Sequence, residues 1–242
     1  FIDAHQDLSV QVHPSDRKAQ ELGEGDAGKD EAWVVLHAEE GSVLYLGFRE
    51  EVDRSEFERA LSDPSINIAE KYLNAIPVRS GDVLFNPAGT IHAIGKGLVL
   101  AEIQQSSGIT YRLWDWNRIP RRPLHISKAL ESLNLNKSTP ADFEGVPRRL
   151  NEKEERLVDS FHFTVDRVAL AATEELEVDT MGSFQILTCL KGKVELLGSD
   201  SKGCLSQGQS LLAPASLNRY NVTGVEDSVL LKSFVLTPQH ID

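Results

Sequence analysis

Apolar residues along this chain come in short runs, several alternating with polar ones and most bounded by Gly, Pro or Asp. Period-two alternation gives a strand one buried and one solvated face. The pattern predicts strands over Leu8–His13, Trp33–His37, Ser42–Phe48, Asp82–Asn86, Leu98–Gln104, Phe161–Val165, Gln185–Leu190, Lys193–Leu197 and Leu211–Ala213. Helical spacing is rarer. It occurs at Ser55–Leu61 and Ile68–Leu73, inside an insertion over about 50–75, and at His125–Leu133 after the Arg/Pro-rich stretch Arg118–Pro123. Asn136–Glu155 is polar, with two prolines and mixed charge, and reads as a linker with little core of its own. So many short strands and so few helices predict a β-sandwich or barrel rather than alternating β/α units.

The two halves carry a degenerate repeat. In the first, Gly41-Ser-Val-Leu-Tyr-Leu leads to Gly81-Asp-Val-Leu-Phe-Asn-Pro87-Ala-Gly89-Thr-Ile-His92. In the second, Gly192-Lys-Val-Glu-Leu-Leu leads to Gly208-Gln-Ser-Leu-Leu-Ala-Pro214-Ala-Ser216-Leu-Asn-Arg219, with the same Gly-x5-Pro spacing. Glycine turns the chain into a strand, and Pro-x-Gly turns it again at the far end. The first copy resembles the second cupin motif, and that resemblance implies a mainly β double cupin: two jelly-roll barrels with a small helical insertion and a helical linker. The expected division is a metal-binding catalytic barrel over 1–120, a helical linker over 121–158, and a degenerate barrel without a metal site over 159–242.

Composition narrows the function. The 242 residues hold 25 Lys+Arg against 37 Asp+Glu, a net charge of −12, which argues against non-specific binding to nucleic acid or anionic membranes. A 40% hydrophobic fraction is enough to build a core in one large domain or two small ones. Cys189 and Cys204 are too few for a disulfide framework and read as core or free thiols in a reducing compartment. No apolar run approaches the ~18–20 residues that span a bilayer, and no signal-peptide pattern opens the chain, so a cytoplasmic location is expected. The chain begins Phe1-Ile2-Asp3, without Met and already strand-like, which suggests a missing leading segment.

Candidate chemistry gathers at four positions. Gln11 and His13 share a strand face through their i, i+2 spacing, Glu31 opens the run around Trp33, and His92 ends the first repeat motif. Two imidazoles, a carboxylate and an amide oxygen form an N/O set with one negative charge, suited to Zn²⁺ or a similar divalent ion. Taken singly, each residue has a plainer reading. A lone His on an apolar strand is more often a hydrogen-bonded structural group, and that reading is kept for His5, His37, His125, His162 and His240.

Four segments carry a closer resemblance: Ser9-Val-Gln11-Val-His13-Pro14-Ser-Asp16, Lys29-Asp-Glu31-Ala-Trp33, Pro87-Ala-Gly89-Thr-Ile-His92-Ala, and Glu102 through Arg112-Leu-Trp-Asp115-Trp-Asn. In this order they resemble the short bacterial form of type I mannose-6-phosphate isomerase. The resemblance implies one zinc ion per chain on Gln11, His13, Glu31 and His92. It also implies interconversion of mannose 6-phosphate and fructose 6-phosphate through an enediol(ate). The family's catalytic arginine maps to Arg112, which as a permanent cation would polarise oxygens rather than act as base; its plainer role is an ion pair with Asp115 or Glu102. Glu102 and Lys29 match polar positions near the metal, Glu102 as a carboxylate base and Lys29 as a donor or phosphate contact, with the base itself left open. Ser9 and Arg118 are the expected substrate contacts, with Arg121 and Arg122 beside them as a basic locale or, more plainly, as solvated loop arginines. The family normally has a segment before Phe1, including a Lys directly preceding it. The second half has lost the motif glycine (Ser216) and histidine (Arg219), implying a structural or dimer-contact role, with a homodimer as the expected assembly. A non-catalytic sugar-phosphate-binding or regulatory double cupin is the competing reading. An Fe(II) oxygenase cupin is a third, poorly served by the Gln11/Glu31 pair.

Overall fold

The computed structural model describes residues 1–145, 147–199 and 201–235, in two compact units, Phe1–Gly145 and Val146–Asp242. His240 lies outside the described residues. In the first unit the elements are β1 (Ile2–Ala4), β2 (Val10–Val12), α1 (Asp16–Glu21), β3 (Glu31–Ala38), β4 (Val43–Phe48), α2 (Arg54–Leu61), α3 (Ile68–Tyr72), β5 (Leu73–Pro77), β6 (Val83–Asn86), β7 (His92–Ile94), β8 (Leu98–Gln104), β9 (Tyr111–Trp114) and α4 (Ile126–Ser132). They form two antiparallel sheets, ordered β1-β8-β3-β6 and β5-β4-β7-β2-β9.

Trp33, Val35, Leu44, Leu46, Ile94 and Leu100 are buried in one cluster contributed by both sheets. The alternation along β2 explains the second layer: Val10 and Val12 are buried in a cluster with Phe57, Ile68 and Leu130 of the helices, which leaves Gln11 on the opposite face. Helix α2 is highly charged and buries only Phe57 and Ala60, an i, i+3 pair on one face. Asp53 starts it, accepting a hydrogen bond from the Glu56 N–H at 2.8 Å.

The second unit contains β10 (Arg148–Arg149), β11 (Glu154–Asp159), β12 (Thr164–Leu170), β13 (Glu175–Asp179), β14 (Gln185–Lys191), β15 (Lys193–Leu197), β16 (Lys202–Ser206), β17 (Ser210–Ala213), β18 (Arg219–Gly224) and β19 (Ser228–Phe234). Its sheets run β10-β11-β12-β19-β14-β17 and β13-β18-β15-β16 around a core that includes Val168, Leu187, Cys189, Val194, Tyr220 and Leu230. Each unit is a jelly roll, so the mainly β double cupin is the fold of this chain. Among the described residues no helix is long and apolar enough to cross a membrane.

Four expectations are corrected. Among its described residues, the helical linker expected over 121–158 holds only the seven-residue α4 and a three-residue 3-10 turn, Pro140–Asp142, and by Arg148 the chain is already in strands of the second barrel. Nor does Asn136–Glu155 lack core, because Phe143 is buried with Trp33 and Leu46. The strand expected over Phe161–Val165 begins only at Thr164: Ser160 and Phe163 close a turn, and Phe161 at its tip is 89% exposed. Cys189 is buried as expected, but Cys204 is exposed, since on β16 it is Leu205 that joins the core.

Candidate metal centre and active site

The centre is built where strands of both sheets present polar side chains in the first barrel. Gln11 stands between its cross-strand partners His92 on β7 and Arg112 on β9. Glu31, the first residue of β3, stands between Asn86 on β6 and Gln104 on β8. His13 follows β2 directly, and its carbonyl accepts the Gly89 N–H at 2.8 Å, tying it to the turn that precedes His92. That turn needs Gly89 at φ +88°, a left-handed conformation that side chains resist. Lys29 is brought in where its N–H reaches the Pro14 carbonyl at 3.0 Å. A Cβ on the preceding Gly28 would lie 2.3 Å from the Asp16 nitrogen.

His13, Glu31 and His92 are almost wholly buried, and their candidate ligand atoms all lie within 4.8 Å of one another. His13 Nδ1 donates to the Ile109 carbonyl at 2.7 Å, and His92 Nδ1 donates to the Thr90 carbonyl at 2.9 Å. A carbonyl can only accept, so both protons sit on Nδ1 and both Nε2 lone pairs face inward. His13 Nε2 then lies 3.1 Å from Glu31 Oε1, two acceptors face to face, and neither makes a hydrogen bond. Lys29 Nζ, 2.7 Å from Oε1, supplies charge there without an aligned hydrogen bond. Buried polar atoms are normally paired. An orphaned imidazole nitrogen opposite an orphaned carboxylate oxygen is what a divalent cation would satisfy, so these residues fit a bound metal. Gln11 is the less settled donor. Its Nε2 lies 3.2 Å from His92 Nε2 while its Oε1 accepts from Ser9 Oγ at 3.3 Å, so ligation through oxygen requires the amide to turn over.

The electrostatics agree. Burial works to raise the Glu31 carboxyl, but the polar groups around it, the Lys29 charge among them, outweigh burial and hold Glu31 well below the usual carboxylate range. Burial pushes the His92 imidazole down to about 4, against the opposing pull of Glu31, so its Nε2 carries no proton at neutral pH. Glu102 is shifted the other way: burial and the neighbouring Glu31 charge raise it. Its Oε2 accepts from Trp33 Nε1 at 3.0 Å, and Trp33 meets the His92 ring edge-on at 5.5 Å.

Arg112 donates from Nε to Ser9 Oγ at 3.2 Å and from Nη1 to the Pro123 carbonyl at 2.9 Å. Its backbone is held as well, for His125 Nδ1 accepts the Arg112 N–H at 3.1 Å. Neither Asp115 nor Glu102 pairs with it. Asp115 instead takes Arg122 through two hydrogen bonds of 2.5 and 2.7 Å, and Arg118 at 3.4 Å. Arg118 also donates to the Asp7 carbonyl. Trp114, Asp115, Arg118, Arg121 and Arg122, with Pro64, line an open cleft at the end of β9.

Comparison with known proteins gives the family. Residues 153–232 match the family description "Mannose-6-phosphate isomerase, cupin domain". The mannose-6-phosphate isomerase of Streptococcus mutans is 31% identical over 233 residues, covering 93% of this chain and 70% of that protein. The chain belongs to the mannose-6-phosphate isomerase family. Mannose-6-phosphate isomerase ManA of Bacillus subtilis is 26% identical over 250 residues, covering 95% of this chain and 72% of that protein. The crystal structure of the mannose 6-phosphate isomerase from Bacillus subtilis superposes with a TM-score of 0.82 at 26% identity, over 96% of this chain and 73% of that one.

In this family member the structure brings His13, Glu31 and His92 together, with Gln11 and Lys29 in contact with them. It joins Arg112 to Gln11 through Ser9, whose hydroxyl is already engaged by both. Arg118 stands apart from this group, held by Asp115 and Asp7. Sequence reasoning missed Asn86, whose Nδ2 donates to Glu31 Oε2 at 2.9 Å, and Trp33, which holds Glu102. The signal for Asn86 was a polar residue ending the apolar run Val83-Leu84-Phe85; beside Pro87 it reads as a turn residue.

Proposed function

We propose that this chain is a zinc-dependent aldose–ketose isomerase that interconverts mannose 6-phosphate and fructose 6-phosphate through an enediol(ate). The observation that carries the proposal is the pair of unsatisfied, buried acceptors, His13 Nε2 and Glu31 Oε1, facing one another 3.1 Å apart beside His92. His13, Glu31 and His92, with Gln11 after its amide turns, would hold one ion per chain. When bound, the ion supplies Lewis-acid stabilisation of negative charge on the sugar oxygens.

The remaining work falls to side chains. Isomerisation needs a group to move a proton between C1 and C2, and Glu102 is equipped for it, because a raised carboxyl is a stronger base than an ordinary one. Trp33 fixes its orientation through the 3.0 Å hydrogen bond. Arg112 keeps its charge and is aimed by Ser9 and Pro123, which suits it to stabilise the enediolate oxygens. Lys29 donates to a sugar oxygen or to the phosphate. The arginine cleft is where we place the phosphate, with Arg118 as the nearest contact to the Asp7–Ser9 segment. A sugar-phosphate substrate also suits the acidic chain: cations gathered at one mouth supply the attraction that the net charge of −12 does not.

A coupled assay for fructose 6-phosphate tests this. Turnover should be lost on chelation and return with Zn²⁺. Arg112→Ala should lower kcat by about 100-fold or more, the usual cost of removing one oxyanion donor, while zinc content is unchanged. Binding of the sugar phosphate by zinc-loaded protein without turnover would favour the non-catalytic reading instead.

A further inference from the structure

We infer that Asn86 is a positioning residue of the metal site, whose side-chain N–H fixes the Glu31 carboxylate so that Oε1 stays open to the cation. The inference rests on the metal reading proposed above. Asn86 and Glu31 are directly opposed across β6 and β3, and both are essentially inaccessible to solvent. Asn86 Nδ2 lies 2.9 Å from Glu31 Oε2 and is the sole hydrogen-bond donor to that oxygen among the described residues. His92 Nε2, at 3.6 Å from Oε2, is too far to replace it. With Oε2 pinned, the carboxylate is held from turning, and Oε1 is left beside His13 Nε2 without a hydrogen bond of its own.

What Asn86 leaves undone points the same way. Its Oδ1 is buried with no partner. A half-satisfied amide is an unfavourable choice at the end of the apolar run Val83-Leu84-Phe85, where leucine would fill similar space at no polar cost. The amide is therefore there for its N–H.

The second barrel supplies an internal comparison. There the residue before the motif proline is Ala213, and its cross-strand partner is Gln185, so Gln185 and Ala213 occupy the places of Glu31 and Asn86. The barrel that lacks the ligand carboxylate, and has Arg219 in place of the histidine, also lacks the asparagine. Closing a barrel of this kind does not need the amide. Holding a carboxylate does.

Outer-sphere partners of metal ligands typically alter affinity by about 10–100-fold. Zinc affinity should therefore be measured by competition with a chromogenic chelator, using the full chain. Asn86→Leu is expected to bind Zn²⁺ about 10–100-fold more weakly than wild type. Its kcat should recover in excess zinc, with KM for the sugar phosphate unchanged. Equal zinc affinity in Asn86→Leu and wild type overturns the inference and leaves the metal reading standing. A wild-type chain that binds no zinc overturns the metal reading and the inference with it. Should Asn86→Leu not fold, the wild-type protein decides alone: the Asn86 side-chain amide resonances should resist exchange with solvent and shift when zinc is added. Amide resonances unmoved by zinc overturn the inference.

Discussion

Glu31 and Glu102 are carboxylates of the same barrel whose surroundings move them in opposite directions. Lys29 helps keep Glu31 ionised, as the proposed metal-ligand role requires, while burial and the Glu31 charge make Glu102 reluctant to ionise. Such a divergence separates a metal ligand from a proton carrier. A base must be ionised to act, so kcat/KM should fall as pH drops through the raised Glu102 value, and the acid limb should lie above the ordinary carboxylate range. In Glu102→Gln that limb should vanish along with most turnover, at unchanged zinc content; an identical pH profile would remove Glu102 from proton transfer. At this scale much of the site was legible in the sequence. His13 and Gln11 share a face by strand periodicity, and His92 is marked by its Pro-x-Gly turn. Asn86 and Trp33 were not legible, because their partners Glu31 and Glu102 are named only by the register of β3 against β6 and β8, strands far apart in sequence.

Short connections between elements hold the ligands as firmly as the strands do. Gly28 lets Lys29 and Glu31 pass against the start of α1, where an added Cβ would meet the Asp16 nitrogen at 2.3 Å and the Pro14 carbonyl oxygen at 2.7 Å. These are backbone atoms that cannot swing aside. Gly28→Ala should cost about 1–3 kcal/mol by overpacking, read as a lower Tm, and should weaken zinc binding, because the displaced segment carries Glu31 while His13 stays at the end of β2. Unchanged Tm and zinc affinity would show that the connection adjusts freely. The pattern of apolar positions found β3, β4, β8, β14 and α2 to α4, but not β18 or β19, and not α1, which buries Ala19 alone and so lacks helical periodicity. It also missed β11, whose Glu154 and Arg156 are taken up in ion pairs with Lys232 and Asp166, so its charge made it look like linker. Charged residues that find partners across a sheet defeat a reading based on hydrophobicity.

Over the whole molecule, one jelly roll is used twice for different ends. The first barrel keeps an unsatisfied polar centre. In the second, Lys232 occupies the register position of Glu102, opposite Leu187 rather than Trp33, and the polar groups satisfy one another. Lys232 lies 2.5 Å from Glu154 and 3.4 Å from Asp166, which also takes Arg156 at 2.5 Å. Burial tends to raise the Glu154 carboxyl, but Lys232 more than offsets it and lowers it. A depressed carboxyl stabilises the fold above its unfolded value and loses that contribution as pH falls through the folded value. Lys232→Met should therefore destabilise the second barrel by about 3 kcal/mol near neutral pH, since Glu154 loses its buried partner, and by less in acid where the carboxyls are protonated. A loss independent of pH would contradict the ionic reading. A barrel whose polar groups are already paired has no use for a metal, so one ion per chain is expected. A catalytic role for that single centre is tested most directly by adding zinc stepwise to metal-stripped protein while following conversion of mannose 6-phosphate to fructose 6-phosphate. Turnover should rise in proportion to bound zinc and level off at one equivalent per chain, whereas full turnover in the stripped protein would contradict it.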